Sequence, residues 1–209
     1  MTVMSEQGPA RPRSPAGLRE RKKARTRASI REHALRLFRE QGYHATTVEQ
    51  IAETAEVSPS TFFRYFPTKE DVVLQDDLDI LTLEALNAQS RELSPIAAMR
   101  GAAASAFAAM TEQDLERLAE TTRLTFSVPE VRARAVDELT RTIEQIGGAL
   151  AVRAGREPDD FAARVLAGAL IGVIMAATIP WAADRDLDVA EMFARIDAGL
   201  AQLENGLSL

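Results

Sequence analysis

The chain has 209 residues, 46% hydrophobic and 27% charged, a balance that favours one or two folded domains over a disordered chain. It has no cysteine, which excludes disulfides, cysteine-ligated zinc and a cysteine nucleophile, and its two histidines leave little for metal or acid–base chemistry. Residues 1–69 carry 13 basic and 7 acidic side chains, whereas residues 70–209 carry 12 and 24; this asymmetry predicts a polyanionic partner for the first part alone.

The composition and periodicity predict an all-α fold of about nine helices, because alanine is abundant, aromatic residues are few and no β-alternation occurs. Residues 1–17, rich in Pro, Gly and Ser, are predicted to be a disordered arm. Residues 18–67 are predicted to form a three-helix helix-turn-helix domain. Residues 68–209 are predicted to form a helical bundle.

No apolar segment follows the first Met, so no signal peptide is expected. The longest uncharged run, residues 165–183, has the length of a membrane span. Its glycines, its proline and its many alanines favour a buried helix instead. We therefore expect a cytoplasmic protein without a membrane partner.

The first helix is predicted over residues 18–41, with one apolar stripe and Gly42 as its C-cap. Its first half is dense in basic side chains that would repel one another. A polyanion partner is therefore favoured over a merely solvated face. The basic residues singled out are Arg19, Lys22, Lys23 and Arg25.

Two short helices follow, separated by a three-residue turn. The first, residues 47–55, has Thr46 or Thr47 as N-cap, and the second, residues 59–65, has Ser58 as N-cap with Pro59 at its first position. Together they predict a helix-turn-helix, whose second helix enters a major groove. Arg64 would pair with guanine.

The aromatic residues of this second helix allow two interpretations. All of Phe62, Phe63, Tyr65 and Phe66 could be core residues. We favour a core role for Phe62 and Phe66 and an outward position for Phe63 and Tyr65. The remaining helices are predicted over residues 70–90, 94–110, 112–127, 129–155 (interrupted at Gly147-Gly148), 158–183 and 187–203.

Residues 47–70 (TVEQIAETAEVSPSTFFRYFPTKE) resemble the tetracycline-repressor (TetR) family of bacterial regulators at more than ten positions with fixed spacing. Two departures are Glu56 and Ser60, where glycine is usual or common. Glu56 is therefore expected to adopt a left-handed backbone conformation. The resemblance implies phosphate or base contacts by Thr47, Ser58, Ser60, Thr61, Phe63, Arg64, Tyr65 and Lys69, with further phosphate contacts by the basic residues of the first helix.

Within the family, the runs 62–73, 127–134 and 166–170 resemble a subgroup that binds acyl-CoA-like ligands. Such a pocket would be hydrophobic, although most of these side chains are expected to belong to an ordinary core instead. The candidate ligand residues are Leu78, Leu81, Met99, Phe107, Met110, Leu124, Phe126, Ile174, Met175 and Trp181.

One helix-turn-helix contacts too few bases for specificity, which favours a two-fold homodimer on palindromic double-stranded DNA. The last two helices are the expected interface, through Leu166, Leu170, Ile174, Met192, Phe193 and Ile196. The predicted protein is a repressor released from its operator by a small-molecule effector, an acyl-CoA or another hydrophobic compound. The alternatives are a sequence-independent architectural protein and an activator. An enzyme is disfavoured because no catalytic motif occurs, and no cofactor or metal is expected.

Overall fold

A computed structural model describes residues 15–74, 78–180 and 188–207, with side chains described over 19–74, 82–180 and 188–207. All regular secondary structure in these ranges is helical, which confirms the predicted all-α class. The described helices are α1 (Pro15–Gln41), α2 (Val48–Thr54), α3 (Pro59–Tyr65), α4 (Asp71–Leu74), α5 (Leu78–Ala88), α6 (Pro95–Ala108), α7 (Glu112–Ser127), α8 (Pro129–Arg153), α9 (Phe161–Thr178) and α10 (Val189–Glu204).

The chain divides between Pro67 and Thr68 into two compact units. The first unit contains α1, α2 and α3. Its core is formed where the second half of α1 meets the two short helices, because the buried apolar side chains among residues 19–41 all lie in that half of α1. The core residues are Ile30, Ala34, Leu35, Phe38, Tyr43, Ile51, Ala52, Ala55, Phe62 and Phe66.

Helix α1 begins at Pro15, three residues before the predicted start. Proline suits the first helical positions because its missing N–H would have no partner there. The part of the predicted disordered arm at residues 15–17 is therefore helical. Residues 1–14 lie outside the described ranges.

The second unit contains α4 to α10 around a core of leucine, methionine and alanine side chains from α5, α6, α8, α9 and α10. Two arginines tie its helices together. Arg153 of α8 donates hydrogen bonds to the carbonyl oxygens of Leu86, Gln89 and Ser90 at and beyond the end of α5. These bonds satisfy carbonyl groups that a helix terminus otherwise leaves to water.

Arg100 of α6 is the second of these arginines, and it forms ion pairs with α10. Its Nε lies 2.7 Å from Asp197 Oδ1 and its Nη1 lies 3.0 Å from Glu204 Oε2. These hydrogen bonds raise the pKa of Arg100, and the pKa of Asp197 is lowered chiefly by its hydrogen bonds from Arg100. Both shifts show that the charged forms are favoured in this pair.

Helix α8 is continuous from Pro129 to Arg153, so the predicted interruption at Gly147-Gly148 is wrong. Gly147 is buried against α9, where a Cβ would stand 3.2 Å from the Cα of Arg164. The glycine therefore permits a close approach of two helices and does not mark a break.

Helix α9 is shorter than the predicted span, because Asp160 caps it and it ends at Thr178. By length and composition it is the one helix in the described ranges that could cross a membrane, with a mean hydropathy of 1.9. Only one face is buried in the chain, through Ala163, Ala167, Leu170, Ile171 and Thr178. The expectation of a buried helix is therefore correct for one face only.

Candidate nucleic-acid interface

The start of α2 is fixed by a reciprocal pair of hydrogen bonds. The Gln50 backbone N–H donates to Thr47 Oγ1 over 3.2 Å, and the Thr47 N–H donates to Gln50 Oε1 over 2.9 Å. Thr47 is therefore the N-cap, and the neighbouring Thr46 is buried with its hydroxyl donating to the carbonyl of Gly42. The exposed Thr47 hydroxyl accepts this bond and keeps its own proton available for an outside acceptor.

The turn between α2 and α3 is closed by two backbone hydrogen bonds. Val57 N–H donates to the carbonyl of Ala52 over 2.9 Å, and Glu56 N–H donates to that of Glu53 over 3.1 Å. This is a Schellman motif, whose C′ residue must be left-handed. Glu56 occupies that position with φ 54°, which confirms the expectation for this residue.

Helix α3 begins at Ser58, whose Oγ accepts from the Thr61 N–H over 3.1 Å, as predicted for an N-cap. The same oxygen lies 2.9 Å from Ser60 Oγ and 3.0 Å from Thr61 Oγ1. Three hydroxyl groups are thus connected at the exposed start of the helix. A connected set of hydroxyls has fewer orientations open to it than three separate ones.

The aromatic side chains of this region divide between the core and the surface. Phe62 and Phe66 are fully buried, whereas Phe63 is 50% exposed and Tyr65 is half-buried. Phe63 stands edge-on to Phe62 with ring centroids 5.4 Å apart. The buried ring therefore supports the exposed one, and Phe63 presents an apolar surface to the outside.

Arg64 is exposed and its guanidinium carbon lies 5.3 Å from the centroid of the Tyr65 ring. Such a cation–π contact narrows the range of side-chain positions without neutralising the charge. Helix α3 therefore offers hydroxyl groups, an aromatic face and a directed guanidinium on one short element.

The first half of α1 contributes positive charge. Arg19, Lys22, Lys23 and Arg25 are all exposed, and Glu20 is the one acidic side chain among residues 19–25. Arg27, further along, is partly buried with its guanidinium 5.4 Å from the centroid of the Phe66 ring. The four predicted basic residues are thus available to an outside polyanion.

Lys69 belongs to the second unit, unlike the other predicted contacts. It is partly buried, and this burial lowers its pKa, while Glu70 and Glu130 act in the opposite direction. Its predicted role at the phosphate backbone stays a prediction.

The residues predicted for the dimer interface mostly face the core of their own chain. Leu170, Met192 and Ile196 are buried there, and Leu166 and Phe193 pack against them. Their role in a dimer interface stays a prediction. The exposed face of α9 is a different stripe. It carries Phe161, Val165, Gly172, Ala176 and Ile179.

The structure brings together only part of the predicted ligand set. Met99 lies in the core of the second unit, and Phe107 packs on Phe193 with ring centroids 4.4 Å apart. Met110, Leu124, Phe126 and Met175 are half-buried, and Ile174 is 37% exposed. Trp181 and the side chains of Leu78 and Leu81 lie outside the described ranges.

Two surface depressions of about 360 and 290 Å³ lie beside α8 and the loop before α9. They share Glu144, Gly148 and Pro158, and about half of the residues that line them are charged or polar. Neither contains a residue of the predicted ligand set. The described residues also contain no cluster of three His, Cys, Asp or Glu side chains placed to bind a metal ion.

The chain is similar to known regulators over nearly its whole length. Residues 30–75 match the family of bacterial regulatory proteins of the tetR type, and residues 93–208 match the MftR C-terminal domain. The HTH-type transcriptional regulator TcmR of Streptomyces glaucescens is 34% identical over 195 residues, covering 90% of this chain and 86% of TcmR.

Two solved structures share the fold. The FadR repressor of Thermus thermophilus, crystallised with lauroyl-CoA, is 26% identical with a TM-score of 0.57, covering 88% of this chain and 95% of FadR. FadR of Bacillus halodurans is 20% identical with a TM-score of 0.54, over 87% of this chain and 96% of that one. With the exposed α3 and the family matches together, the chain belongs to the TetR family of bacterial transcriptional regulators.

Proposed function

We propose that this regulator is a homodimeric repressor that binds a palindromic operator and is released from it by a small lipophilic effector, of which a long-chain acyl-CoA is the first candidate. The observation that carries the proposal is α3, where Phe63 and Arg64 are exposed above the buried Phe62. An exposed Phe and a directed Arg suit base edges in a major groove.

The contacts divide by chemistry. Arg64 pairs with guanine, while Phe63 and Thr61 touch a thymine methyl group. Thr47, Tyr65, Lys69 and the exposed basic residues of α1 contact phosphates, which sets the register and contributes affinity that salt weakens. Ser58 and Ser60 complete the surface.

Dimerisation is supported by the outer face of α9. Phe161 is 76% exposed, and Val165 is 54% exposed one turn further along. Gly172 and Ala176 continue the stripe, and small residues allow helices to approach closely. A single reading helix covers too few base pairs, so a two-fold pair of chains is required for operator selectivity.

The effector class is supported by the relative crystallised with lauroyl-CoA and by one feature of α9. Ile174 lies on the same face as the buried Leu170 and Thr178, one turn from each, yet it is 37% exposed. Ile174 therefore presents an apolar side chain to solvent at the edge of the core. In this proposal the acyl chain enters beside Ile174 and Met175.

Release from the operator follows if the effector prefers the conformation that does not bind DNA, since a ligand shifts an equilibrium only by its differential affinity. A sequence-independent architectural protein is less well supported, because residues 70–209 carry 12 basic and 24 acidic side chains. An activator would share the same contacts and differ only in the response of transcription.

The test is a binding measurement on the purified protein. DNA from upstream of its own gene is footprinted, and fluorescence anisotropy gives Kd for the protected palindrome and for shuffled DNA, with and without lauroyl-CoA or free CoA. We expect a preference for the palindrome of at least about 100-fold, and release by lauroyl-CoA but not by free CoA. Arg64→Ala should lose most of this preference, whereas Arg117→Ala in α7 should keep it.

Equal affinity for shuffled DNA would favour the architectural alternative. If neither lauroyl-CoA nor other acyl-CoA thioesters weaken operator binding, the proposal of an acyl-CoA effector is wrong. In vitro transcription from the footprinted promoter distinguishes the repressor from the activator.

A further inference from the structure

A buried carboxylate stands at the first helix of the second unit. Asp71 is fully buried, and among the described residues no other acidic side chain is. Both of its oxygens are used: Oδ2 accepts the Thr68 backbone N–H over 2.9 Å and Oδ1 accepts Nε–H of Arg134 over 2.9 Å. The Asp71 N–H in turn donates to Thr68 Oγ1 over 3.3 Å. Asp71 therefore connects the start of α4 to α8.

Arg134 is held from its other side by α8 itself. Its Nη2 lies 2.6 Å from Glu138 Oε1, and the second oxygen of Glu138 lies 3.3 Å from Nη1 of Arg141. The Arg134 side chain is only 29% exposed. Glu138 thus restricts the Arg134 side chain to one position on α8, in which its Nε–H points at Asp71.

The position of Thr68 gives this pair its importance. The Thr68 N–H belongs to the peptide bond formed with Pro67, the last residue of the first unit. The described part of α4 is Asp71–Leu74. It is held in the second unit by the buried Val72 and Val73 and by the directional bonds of Asp71. Apolar contacts tolerate sliding, whereas two hydrogen bonds to one carboxylate specify a direction.

We propose that Asp71 and Arg134 are positioning residues for operator binding. Their ion pair attaches the peptide bond between Pro67 and Thr68, at the end of the first unit, to α8. The inference rests on the proposed function, since it assigns these residues to the alignment of the two α3 helices of a dimer on one palindrome. A purely structural ion pair would stabilise the second unit without affecting DNA affinity in the folded protein.

The experiment compares Arg134→Met with Arg141→Met in the full-length protein. Both changes remove one arginine from α8, and both arginines contact Glu138, but only Arg134 contacts Asp71. Hydrogen–deuterium exchange of the peptide covering residues 66–74 reports the junction, and fluorescence anisotropy reports the operator Kd. We expect Arg134→Met to speed exchange there at least tenfold and to weaken operator binding at least tenfold. Arg141→Met should change both by less than twofold.

A second variant separates alignment from stability. Arg134→Met leaves a buried carboxylate without its cation, which destabilises the second unit; Asp71→Asn combined with Arg134→Met removes that charge. The asparagine oxygen still accepts the Thr68 N–H. We expect the double variant to recover the melting temperature of the wild type but to keep the tenfold loss of operator affinity.

A double variant, or a folded Arg134→Met protein, that binds the operator as the wild type does would overturn the inference. A wild-type protein with no preference for the palindrome would instead refute the proposed function. In that case the exchange rates of residues 66–74 still decide whether the pair fixes the junction.

Discussion

A Cβ atom on Gly147 would stand 3.2 Å from the Cα of Arg164, which places the backbones of α8 and α9 in direct contact at this point. The next residue, Gly148, has more room, because its Cβ would meet its nearest neighbour, the carbonyl oxygen of Pro158, at 3.6 Å. Two adjacent glycines in one continuous helix therefore have different reasons to be glycine.

This difference predicts opposite effects of alanine. Gly148→Ala should raise the free energy of unfolding by about 1 kcal/mol through helix propensity. Gly147→Ala has the same gain but must push two backbones apart, so we expect a net loss of about 1 kcal/mol. Urea denaturation followed by circular dichroism measures both, and a Gly147→Ala protein more stable than Gly148→Ala would contradict the close packing.

Glu56 predicts a stabilising substitution. Its φ of 54° is the C′ position of a Schellman motif, and the equivalent positions after α8 and α10 are Gly155 and Gly206. Glu56→Gly should raise the free energy of unfolding by about 0.5–1 kcal/mol because the left-handed strain disappears. Glu56→Ala keeps the Cβ atom and should bring no such gain. Equal stabilisation by both variants would assign the effect to the removal of the carboxylate.

The outer face of α9 predicts that one substitution abolishes dimers. Val165 on α9 is 54% exposed and Val136 on α8 is 55% exposed, which makes them a matched pair. Val165→Glu should convert the protein to monomers and weaken operator binding by more than about 100-fold, since each monomer carries a single reading helix. Val136→Glu should leave both properties unchanged. Sedimentation velocity gives the oligomeric state, and a dimeric Val165→Glu protein would refute this interface.

The exposed basic residues of α1 predict the salt dependence of DNA binding. Removing one phosphate interaction should lower the slope of log Kd against log salt by about 0.9. Lys22→Ala combined with Lys23→Ala should therefore flatten the slope and weaken the binding of operator and shuffled DNA to a similar degree. Arg117→Ala in α7 is the control and should keep the slope of the wild type. An unchanged slope in the lysine variant would remove α1 from the interface.

The Arg100–Asp197 ion pair predicts part of the loss of folding stability at low pH. The pKa of Asp197 in the folded protein lies below its ordinary value of 3.8, so the stabilisation is present above that value and is lost as pH falls through the lowered pKa. Because both side chains are partly exposed, we expect less than about 1 kcal/mol. Arg100→Met and Asp197→Asn should each reduce the loss of stability when the pH falls from about 5 to about 2. The double variant should reduce the loss no further than Arg100→Met alone does, and thermal unfolding across this pH range measures the effect.

Local signals in the sequence predict the first unit well. Thr47 with Gln50, Ser58 with Pro59, and Gly42 at φ 89° act within a few residues, so their hydrogen bonds and backbone angles are decided by the sequence nearby. The exposure of Phe63 is predicted in the same way, because Phe62 and Phe66 are spaced to fill the core between them.

Long-range packing is predicted less well. Nothing near Gly147 reveals that Arg164 approaches it, so a glycine that permits close packing resembles a helix break in the sequence. The hydrophobicity of Leu170, Met192 and Ile196 shows that they are buried but not against which surface. The spacing of Phe161, Val165, Gly172 and Ile179 at whole turns of α9 is the signal in the sequence for the outer stripe.

Helix α9 is apolar on two opposite sides, and in the part of the chain that the structure describes only one of them is covered. A lone protomer must leave the rings and methyl groups of the other side in water, so association and thermal resistance are linked by mass action. The melting temperature should consequently rise with protein concentration. In a cell, the quantity of this regulator would then set its lifetime as well as its occupancy of DNA.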